Sequence, residues 1–277
     1  MRWHAVVAAL DANELFRSRV SVYQHPLAGR PIVWHVVRAL LDTAPAPDEV
    51  SVLHHASVPL SIGPELPNVH YIAVDAGEEA RSLRVAVTSP GLKVLVDGAA
   101  PLITPSTVAR LLRAGESGVA TLLGEGAEYE PRVAVAGEGP AIASADDPRH
   151  PLGASRVAPT QPHETLRVVD RRTLSVAAVA IRDRLIRRHE SVGVSFLLPE
   201  TSWVDVDVRI GADTLVYPGA VLEGSTVIGS ECVIGPHTRI VESTVGRGTE
   251  LKGWNYVSRV SVRNHAVLEP YERRGLD

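Results

Sequence analysis

Aliphatic residues recur every six positions through the C-terminal third of the chain, and this repeat constrains the fold more than any other feature. The uninterrupted part of the repeat places an aliphatic side chain at Val204, Ile210, Val216, Leu222, Ile228, Ile234 and Ile240. The phase then slips by one residue, continues at Val245, Leu251 and Val257, slips again, and ends at Val262 and Leu268. This period predicts a left-handed parallel β-helix, in which three hexads close one triangular coil around the aliphatic side chains.

The residues that follow the aliphatic positions are small. Glycine follows directly at Gly211, Gly229, Gly235 and Gly246, and we expect these residues at corners, where a compact side chain or a positive φ is required. About twelve hexads give about four coils, which is a short stack. A short prism has little interior relative to its surface, and trimerisation is the usual way to cover its faces.

The first two thirds of the chain alternate β-branched runs with amphipathic stretches. We predict strands at 3–10, 49–54, 70–74, 93–96 and 118–123, and helices at 32–41, 79–87, 105–114 and 174–189. This alternation predicts parallel βαβ units in a doubly wound sheet, so the fold class is α/β. Residues 127–163 are predicted as loops with one or two short strands.

Composition excludes several classes of protein. The net charge of −4, from 28 basic and 32 acidic residues, argues against nucleic-acid binding. A single cysteine, Cys232, excludes an intramolecular disulfide. No apolar run reaches the roughly 18–20 residues of a membrane span, and Asp11 interrupts the apolar start, which makes a poor signal peptide. We therefore predict a cytoplasmic protein that does not contact a membrane.

The C-terminal part resembles a known family. The stretches VLEGSTVIG (221–229), CVIGPHTRI (232–240) and ESTVG (242–246), with VVDRRTL (168–174) ahead of them, are similar to the bifunctional N-acetylglucosamine-1-phosphate uridylyltransferase/acetyltransferase. The resemblance covers about residues 168–271 and implies a connector followed by hexapeptide coils. The coils that carry acetyl transfer in that family have no counterpart here, so we do not expect acetyltransferase activity.

The N-terminal part is similar to nucleotidyltransferases, above all the methylerythritol-phosphate cytidylyltransferases. PLAGRPI (26–32), SLRVAV (82–87) and VLVDGAAPLITP (94–105) carry this resemblance. It implies a Rossmann-like nucleotidyltransferase domain at 1–167, a connector helix and linker at 168–198, and the β-helix at 199–277. Such enzymes join a nucleoside triphosphate to a phosphorylated acceptor with a glycine-rich loop, a lysine and an aspartate that holds Mg²⁺.

Each of these devices is missing at the position that the resemblance assigns to it. The segment 8–17, AALDANELFR, has no glycine, and the base-selecting segment falls on AGEEA at 76–80. The lysine position falls on Val22, and the metal aspartate falls on Gly98 or Ala99. A second metal ligand, an asparagine in the family, falls on Val169.

Two residues remain as weak candidates for chemistry. Asp97 lies one residue before the expected metal ligand, and Arg167 stands where the cytidylyltransferases have a second basic residue. Side chains alternate along a strand, so a slip of one residue points Asp97 to the other face unless the strand ends early. We place the old nucleotide pocket near the following residues: Ala9, Leu10, Asp11, Arg17, Arg19 and Gly98.

Two hypotheses about function follow. The first is a nucleotidyltransferase-like protein without catalysis, which serves as a regulatory, scaffolding or ligand-sensing protein and retains at most a nucleotide or sugar-phosphate ligand. The alternative is an active nucleotidyltransferase, acting on a sugar-1-phosphate or related acceptor. Its rebuilt site would use Asp97, Arg167 and Arg17 or Arg19, with Mg²⁺ required only in this case.

The sequence also predicts self-association. Outward positions of the coils carry the aromatic residues Trp203, Tyr217, Trp254 and Tyr256 in place of the charges expected on a solvated face. We therefore expect a homotrimer held through the β-helix, whereas the sequence identifies no other protein partner.

Overall fold

The computed structural model describes residues 2–10, 14–58, 60–61, 66, 68–122, 133–151 and 153–275. The chain divides into two units, Met1–Ala177 and Ala178–Asp277, and each is described by itself. The boundary between them lies within one helix, α5, which spans Arg171–Glu190.

The first unit is an α/β domain built around one sheet. Its described strands are β1 (Trp3–Ala9), β2 (Pro26–Leu27), β3 (Arg30–Pro31), β4 (Glu49–His55), β5 (Val69–Val74), β6 (Leu92–Asp97), β7 (Ala120–Leu122), β8 (Ala134–Glu138) and β9 (Ser155–Arg156). Its other helices are α1 (Ile32–Leu41), α2 (Glu79–Thr88), α3 (Pro105–Gly115) and α4 (Gly139–Ala143). The sheet order is β5-β4-β1-β6-β8-β7-β9, and β2 and β3 form a separate antiparallel pair.

The predicted helices and strands of this unit are present, with small shifts at their ends. Helix α1 has the predicted bounds, and α3 begins as the sequence predicts, with the Thr104 side chain accepting a hydrogen bond from the Thr107 N–H and Pro105 in the first turn. Every residue of β6 is buried, which explains the apolar run Val94–Val96, because both faces of this central strand are covered.

The doubly wound sheet is mixed, because β8 runs against its neighbours. This strand pairs antiparallel with both β6 and β7, within the region predicted as loops with one or two short strands. Helix α4 follows it directly and was missed. A strand's direction depends on the edge of the sheet at which the chain returns. The short Ala/Val/Gly sequence of β8 contains no signal for that direction.

The second unit is a left-handed parallel β-helix that follows the end of α5. Three parallel sheets form its faces: β10-β13-β16-β19-β22, β11-β14-β17-β20-β23 and β12-β15-β18-β21. Their strands are β10 (Ser195–Phe196), β11 (Trp203–Val204), β12 (Arg209–Ile210), β13 (Leu215–Val216), β14 (Val221–Glu223), β15 (Val227–Ile228), β16 (Val233–Ile234), β17 (Arg239–Val241), β18 (Thr244–Val245), β19 (Glu250–Leu251), β20 (Tyr256–Ser258), β21 (Ser261–Val262), β22 (Val267–Leu268) and β23 (Arg273–Arg274).

The hexad aliphatic residues form the core of this unit, as predicted. All of them are buried except Val262, which is partly buried and packs against the same cluster. Fully burying one such side chain contributes about 1.5–3 kcal/mol. The first strand of the stack, β10, lies ahead of residue 199, where the sequence analysis begins the β-helix.

The glycines that follow the aliphatic residues are required for close approach and not for a positive φ. A Cβ at Gly211 would lie 2.5 Å from the Ser230 nitrogen, in the next coil. The positive φ values occur instead at corner residues such as Gly219, at 75°, and Gly248, at 65°. The phase slip is visible in the pairing, because Val221 pairs with Arg239 whereas Val227 pairs with Thr244, one residue earlier.

Over the residues that the structure describes, no helix combines the length and the apolar character needed to cross a membrane.

Lys93, on β6, is a charged residue buried in the first unit and is 1% exposed. Its Nζ lies 3.1 Å from Nδ1 of His4, its neighbour on β1. Burial lowers the pKa of Lys93, and the Glu49 and Glu138 carboxylates oppose that change.

We predict that Lys93→Met stabilises the protein by about 1 kcal/mol at pH 7, because an apolar side chain avoids the free-energy cost of burying the ammonium group. A lowered pKa in the folded state means that this cost is complete below the folded pKa and vanishes as pH rises to the unfolded value of 10.5. Denaturation midpoints from pH 7 to 10.5 should therefore show an advantage for the variant that shrinks with pH.

The control for this prediction is Lys252→Met. Lys252 pairs with Glu269 on the surface of the β-helix, and that hydrogen bond raises the pKa of Lys252. The control variant should gain no stability. A Lys93→Met variant that loses stability by the same amount at every pH would show that the contacts of the ammonium outweigh its burial.

Candidate functional site

The carboxyl ends of β1, β4 and β6 lie at one edge of the sheet, which is where α/β folds bind ligands. Ala9 and Leu10 are buried there at the end of β1. The Gly98 N–H donates a hydrogen bond of 2.8 Å to the Ala8 carbonyl, which ties the end of β6 to β1. Of the residues that the sequence places near the old nucleotide pocket, Ala9, Leu10 and Gly98 therefore lie at this edge, and Asp11 lies outside the described residues.

Asp97 and Arg167 form an ion pair. Asp97 is the last residue of β6 and is 8% exposed. The Arg167 Nε donates to Oδ2 of Asp97 at 2.5 Å, and the Ala99 N–H donates to Oδ1 at 2.7 Å. The sequence analysis selected the two residues separately, and the structure brings them together so that both oxygens of Asp97 accept hydrogen bonds within the protein.

The space beside Gly98 is filled. A Cβ at this position would lie 3.1 Å from the Ala8 carbonyl oxygen, 3.2 Å from Cδ1 of Tyr23 and 3.3 Å from Cβ of Ala9. Tyr23 is 2% exposed, and its neighbour Val22, at the family's lysine position, is 5% exposed. An aspartate side chain at Gly98 has no room unless the Tyr23 ring and the end of β1 move apart.

Phe16 is fully buried and belongs to the segment 8–17, where the resemblance predicts a glycine-rich loop. The Arg171 guanidinium lies 4.5 Å from the centre of its ring, and the His25 ring lies 4.4 Å from it. Burial lowers the pKa of His25, and the charge of Arg171 lowers it further. Arg17 and Arg19 are exposed, and Arg17 has a positive φ of 50°.

The remaining family positions also hold other contacts. Val169, at the asparagine position, is 36% exposed, and its N–H donates to the Thr173 hydroxyl at 3.0 Å. In the segment 76–80, the Gly77 N–H donates to a carboxylate oxygen of Glu79 at 3.0 Å. Each of these two hydrogen bonds joins residues of the same turn.

A buried carboxylate that sequence reasoning missed lies beside this site. Glu164 is fully buried, and it accepts hydrogen bonds from the hydroxyl groups of Thr104 and Thr107 and from the Thr160 N–H, the last at 2.7 Å. Thr104 and Thr107 belong to the first turn of α3, where a negative charge is favoured by the helix dipole. The capping motif of α3 is visible in the sequence, but nothing in it shows that Glu164 completes the motif from outside the helix.

This edge of the sheet does not fit Mg²⁺, the metal that the resemblance implies. Mg²⁺ requires octahedral oxygen ligands, supplied in part by carboxylates. Asp97 already accepts two hydrogen bonds, and Gly98 supplies no side chain. Across the described part of the chain, no three histidine, cysteine, aspartate or glutamate side chains are grouped as metal ligands.

Aromatic residues of the β-helix gather around one corner. The rings of His237, Trp254 and Tyr271 follow one another there, with centroids 5.7 Å and 5.6 Å apart. Trp254 and Tyr271 are 48% and 70% exposed. We call these three residues the corner ladder. All three have a positive φ, at 53°, 51° and 67°, which is strained for large side chains.

Sequence comparison finds a match to a known family within the repeats. Residues 207–241 match the bacterial transferase hexapeptide family, which is described as six repeats. The hexapeptide region is also similar to the bifunctional protein GlmU of Bacillus velezensis, with 44% identity over 108 residues, which are 39% of this chain and 24% of that protein.

GlmU of Mycolicibacterium smegmatis is 43% identical over 84 residues, which are 30% of this chain and 17% of that protein. The chain therefore spans about a quarter or less of the length of these relatives. For the other unit, a crystal structure of 4-diphosphocytidyl-2C-methyl-D-erythritol synthase has a TM-score of 0.50 at 10% identity. The match covers 65% of this chain and 98% of that one, and it shows a nucleotidyltransferase fold.

We predict that Gly98→Asp destabilises the first unit by about 2–3 kcal/mol, because the new carboxylate would be both overpacked against Tyr23 and buried. The matched control is Gly118→Asp, since Gly118 is exposed and a Cβ there meets no atom within 4 Å. The control should change stability by no more than about 0.5 kcal/mol in urea denaturation. Equal stability of the two variants would mean that the space beside Gly98 is open.

Proposed function

We propose that this protein does not transfer nucleotides, and that it is a regulatory, scaffolding or ligand-sensing protein with a nucleotidyltransferase fold. The observation that carries the proposal is the filled space at Gly98. In the cytidylyltransferases that the N-terminal part resembles, this position supplies the metal-binding carboxylate, whereas the uridylyltransferase resemblance places it at Ala99. A Cβ at Gly98 would lie 3.2 Å from Cδ1 of Tyr23. An aspartate introduced at Gly98 would therefore contact atoms that are already packed.

The requirements of phosphoryl transfer explain why the protein would not catalyse it without a metal-binding carboxylate. Nucleotidyl transfer needs positioning of the triphosphate and neutralisation of its developing charge by cations and backbone N–H groups. The buried residues here are Phe16, Val22 and Tyr23, which supply neither. Arg167, a cation at this edge, is already paired with Asp97.

The rest of the molecule supports a retained structural role. The central strands of the sheet are buried and the core of the β-helix is filled. Cys232 belongs to that core, and burial raises the pKa of its thiol, which makes it a poor nucleophile. A scaffold needs this intact packing, whereas it needs no reactive group. The cytoplasmic location expected from the sequence stays a prediction.

We predict no pyrophosphate release when the protein is incubated with CTP, UTP, GTP or ATP, sugar-1-phosphates and Mg²⁺. The matched control is Asp97→Ala, because a contaminating enzyme gives the same rate in both preparations. The two rates should be equal within error. Turnover by the unchanged protein that Asp97→Ala abolishes would contradict the proposal and favour an active nucleotidyltransferase.

We also propose that the protein is a homotrimer held through the β-helix. The aromatic positions selected from the sequence support this arrangement, because Trp203 and Tyr256 lie in one face and Tyr217 and Trp254 lie toward the corner beside it. Trp254 is exposed, as is Tyr271 of the corner ladder, whereas Trp203, Tyr217 and Tyr256 are half-buried. Exposed aromatic residues are typical of an interface, and closed symmetry covers them on every subunit at once.

We predict a mass of about three times 29.7 kDa by light scattering at micromolar concentration. Trp254→Glu should shift the protein toward smaller species, because it places a charge in the contact. The control is Val227→Glu, which adds the same charge on another face, at a residue that is 38% exposed. A mass near one chain for the unchanged protein would overturn the trimer.

A further inference from the structure

We propose that strand β5, at one edge of the sheet, pairs antiparallel with β5 of a second copy of this chain. The contact belongs to the first unit, and it depends neither on the absence of catalysis nor on the trimer of β-helices. Among the described strands, β5 is the last in the sheet order and pairs with β4 alone. Its four central residues, 70–73, are all exposed. Because side chains alternate along a strand, both faces of β5 are open.

Strand β5 lacks the features that normally protect the edge of a sheet. An unpaired edge offers its N–H and C=O groups to any other strand, and proteins block this with charged side chains, proline, bulges or very short strands. The opposite edge of this sheet, β9, is two residues long and includes Arg156. Strand β5 has six residues, VHYIAV, with no acidic residue, lysine, arginine or proline, and its pairing with β4 is continuous. Tyr71 and Ile72 are 44% and 39% exposed there.

The pairing with β4 determines which backbone groups of β5 face outward. The N–H groups of Val50 and Ala56 donate to the carbonyls of Asn68 and Val74. In a parallel ladder, alternate residues of one strand bond to the same neighbour, so the even-numbered residues of β5 bond to β4. The odd-numbered residues therefore direct their N–H and C=O groups away from the sheet: Val69, Tyr71 and Ala73.

These outward groups are complementary to themselves. A twofold axis at Tyr71 places the two copies of Tyr71 opposite each other and places Val69 of one copy opposite Ala73 of the other. Residues that form a hydrogen-bonded antiparallel pair exchange both of their backbone bonds, so every outward N–H and C=O group of both strands is satisfied. A twofold contact of this kind uses the same surface on both copies and closes on itself.

Charge also favours an antiparallel second copy. The acidic residues Asp75, Glu78 and Glu79 follow β5 directly, whereas the strand itself has none. Antiparallel pairing places the acidic ends of the two strands at opposite ends of the contact. Parallel pairing would place them side by side, where like charges repel. Within the contact, the directly opposed side chains are aromatic, apolar or His70, and aromatic and β-branched pairs stabilise a sheet.

The contact is small, because each copy contributes a single strand of six residues. Interfaces below about 1,200 Å² in total are typical of weak association, so we expect pairing at about 100 μM and little pairing at about 1 μM. The edge contact is therefore separable from the β-helix trimer by concentration. Where the trimer forms, edge pairing joins one trimer to another.

The test is a disulfide at the expected twofold axis. Opposed residues in a hydrogen-bonded antiparallel pair have Cα atoms about 5.5 Å apart, which is within the usual range for a disulfide. Tyr71→Cys should therefore form covalent dimers on mild oxidation at the higher concentration, as shown by non-reducing gel electrophoresis. The native Cys232 is buried in the core of the β-helix and should not compete.

The matched control is Ile72→Cys, at the next residue of the strand. With the axis at Tyr71, the two copies of Ile72 are two residues out of register, and their Cα atoms lie more than about 7 Å apart, which is too far for a disulfide. This variant should remain a single chain on the same gel.

Light scattering gives a second measurement that needs no cysteine. The mass of the unchanged protein should rise between the two concentrations, whereas that of Tyr71→Lys should not, because a lysine on an edge strand blocks pairing. The control is Val85→Lys, which adds the same charge on α2 at a residue that is 69% exposed. Its mass should rise as in the unchanged protein.

Two results would overturn the proposal. One is the absence of dimers in folded Tyr71→Cys whose new thiol reacts with a small reagent, and this would leave the edge to an extended segment of another protein. The other is equal cross-linking of Tyr71→Cys and Ile72→Cys, since random collision would then explain both. Neither result bears on catalysis, which pyrophosphate release decides, or on the β-helix contact, which Trp254→Glu decides.

Discussion

A buried carboxylate needs a counter-charge, and this requirement organises the candidate site. Asp97 ends a strand that is buried along its whole length. Its neutralisation by Arg167 requires residues 160–168 to lie at the carboxyl edge of the sheet, and this segment is held there by Glu164 and by the Val168–Ala99 hydrogen bond. Breaking such a pair from one side costs about 3–5 kcal/mol, because the other charge stays buried. The ion pair and the anchored segment therefore depend on each other.

The apolar replacements nearby fit the same arrangement. A lysine and a metal ion repel each other in the absence of a bound triphosphate, and both need water or phosphate around them. Val22 and Tyr23 need neither, and their burial contributes a favourable transfer free energy, with the Tyr23 ring packed beside Gly98. Phe16 is buried as well and is covered by the Arg171 guanidinium.

Much of this fold could be predicted from the sequence, because local patterns determine it. The hexad period follows from the triangular coil, and the strand–helix alternation follows from the βαβ unit. Strand β10 was missed because Phe196 pairs with Val216 out of phase with the later repeats. The direction of β8 was missed because it depends on the path of the chain and not on its own residues.

The site was harder to predict, because its contacts join distant parts of the chain. Arg167 and Asp97 are 70 residues apart, and Glu164 and Thr104 are 60 apart. Family resemblance pointed to Asp97 and Arg167 one at a time, Asp97 as a candidate metal ligand and Arg167 as a basic residue at a family position. Because each side chain pairs with the other, the ion pair accounts for both residues. Glu164 and Tyr23 gave no signal, since neither stands at a position that the resemblance marks.

The corner ladder shows that packing alone does not explain every residue of the β-helix. The turn that Gly219 makes without strain is repeated by His237, Trp254 and Tyr271 on successive coils. A left-handed backbone costs a residue with a side chain about 1–2 kcal/mol, and stacking of neighbouring rings returns about 0.5–1.5 kcal/mol. Glycine at these positions would satisfy the fold at least as well. Large rings that the coil does not require, and that remain exposed, are therefore better explained by contact with another surface than by the stability of one chain.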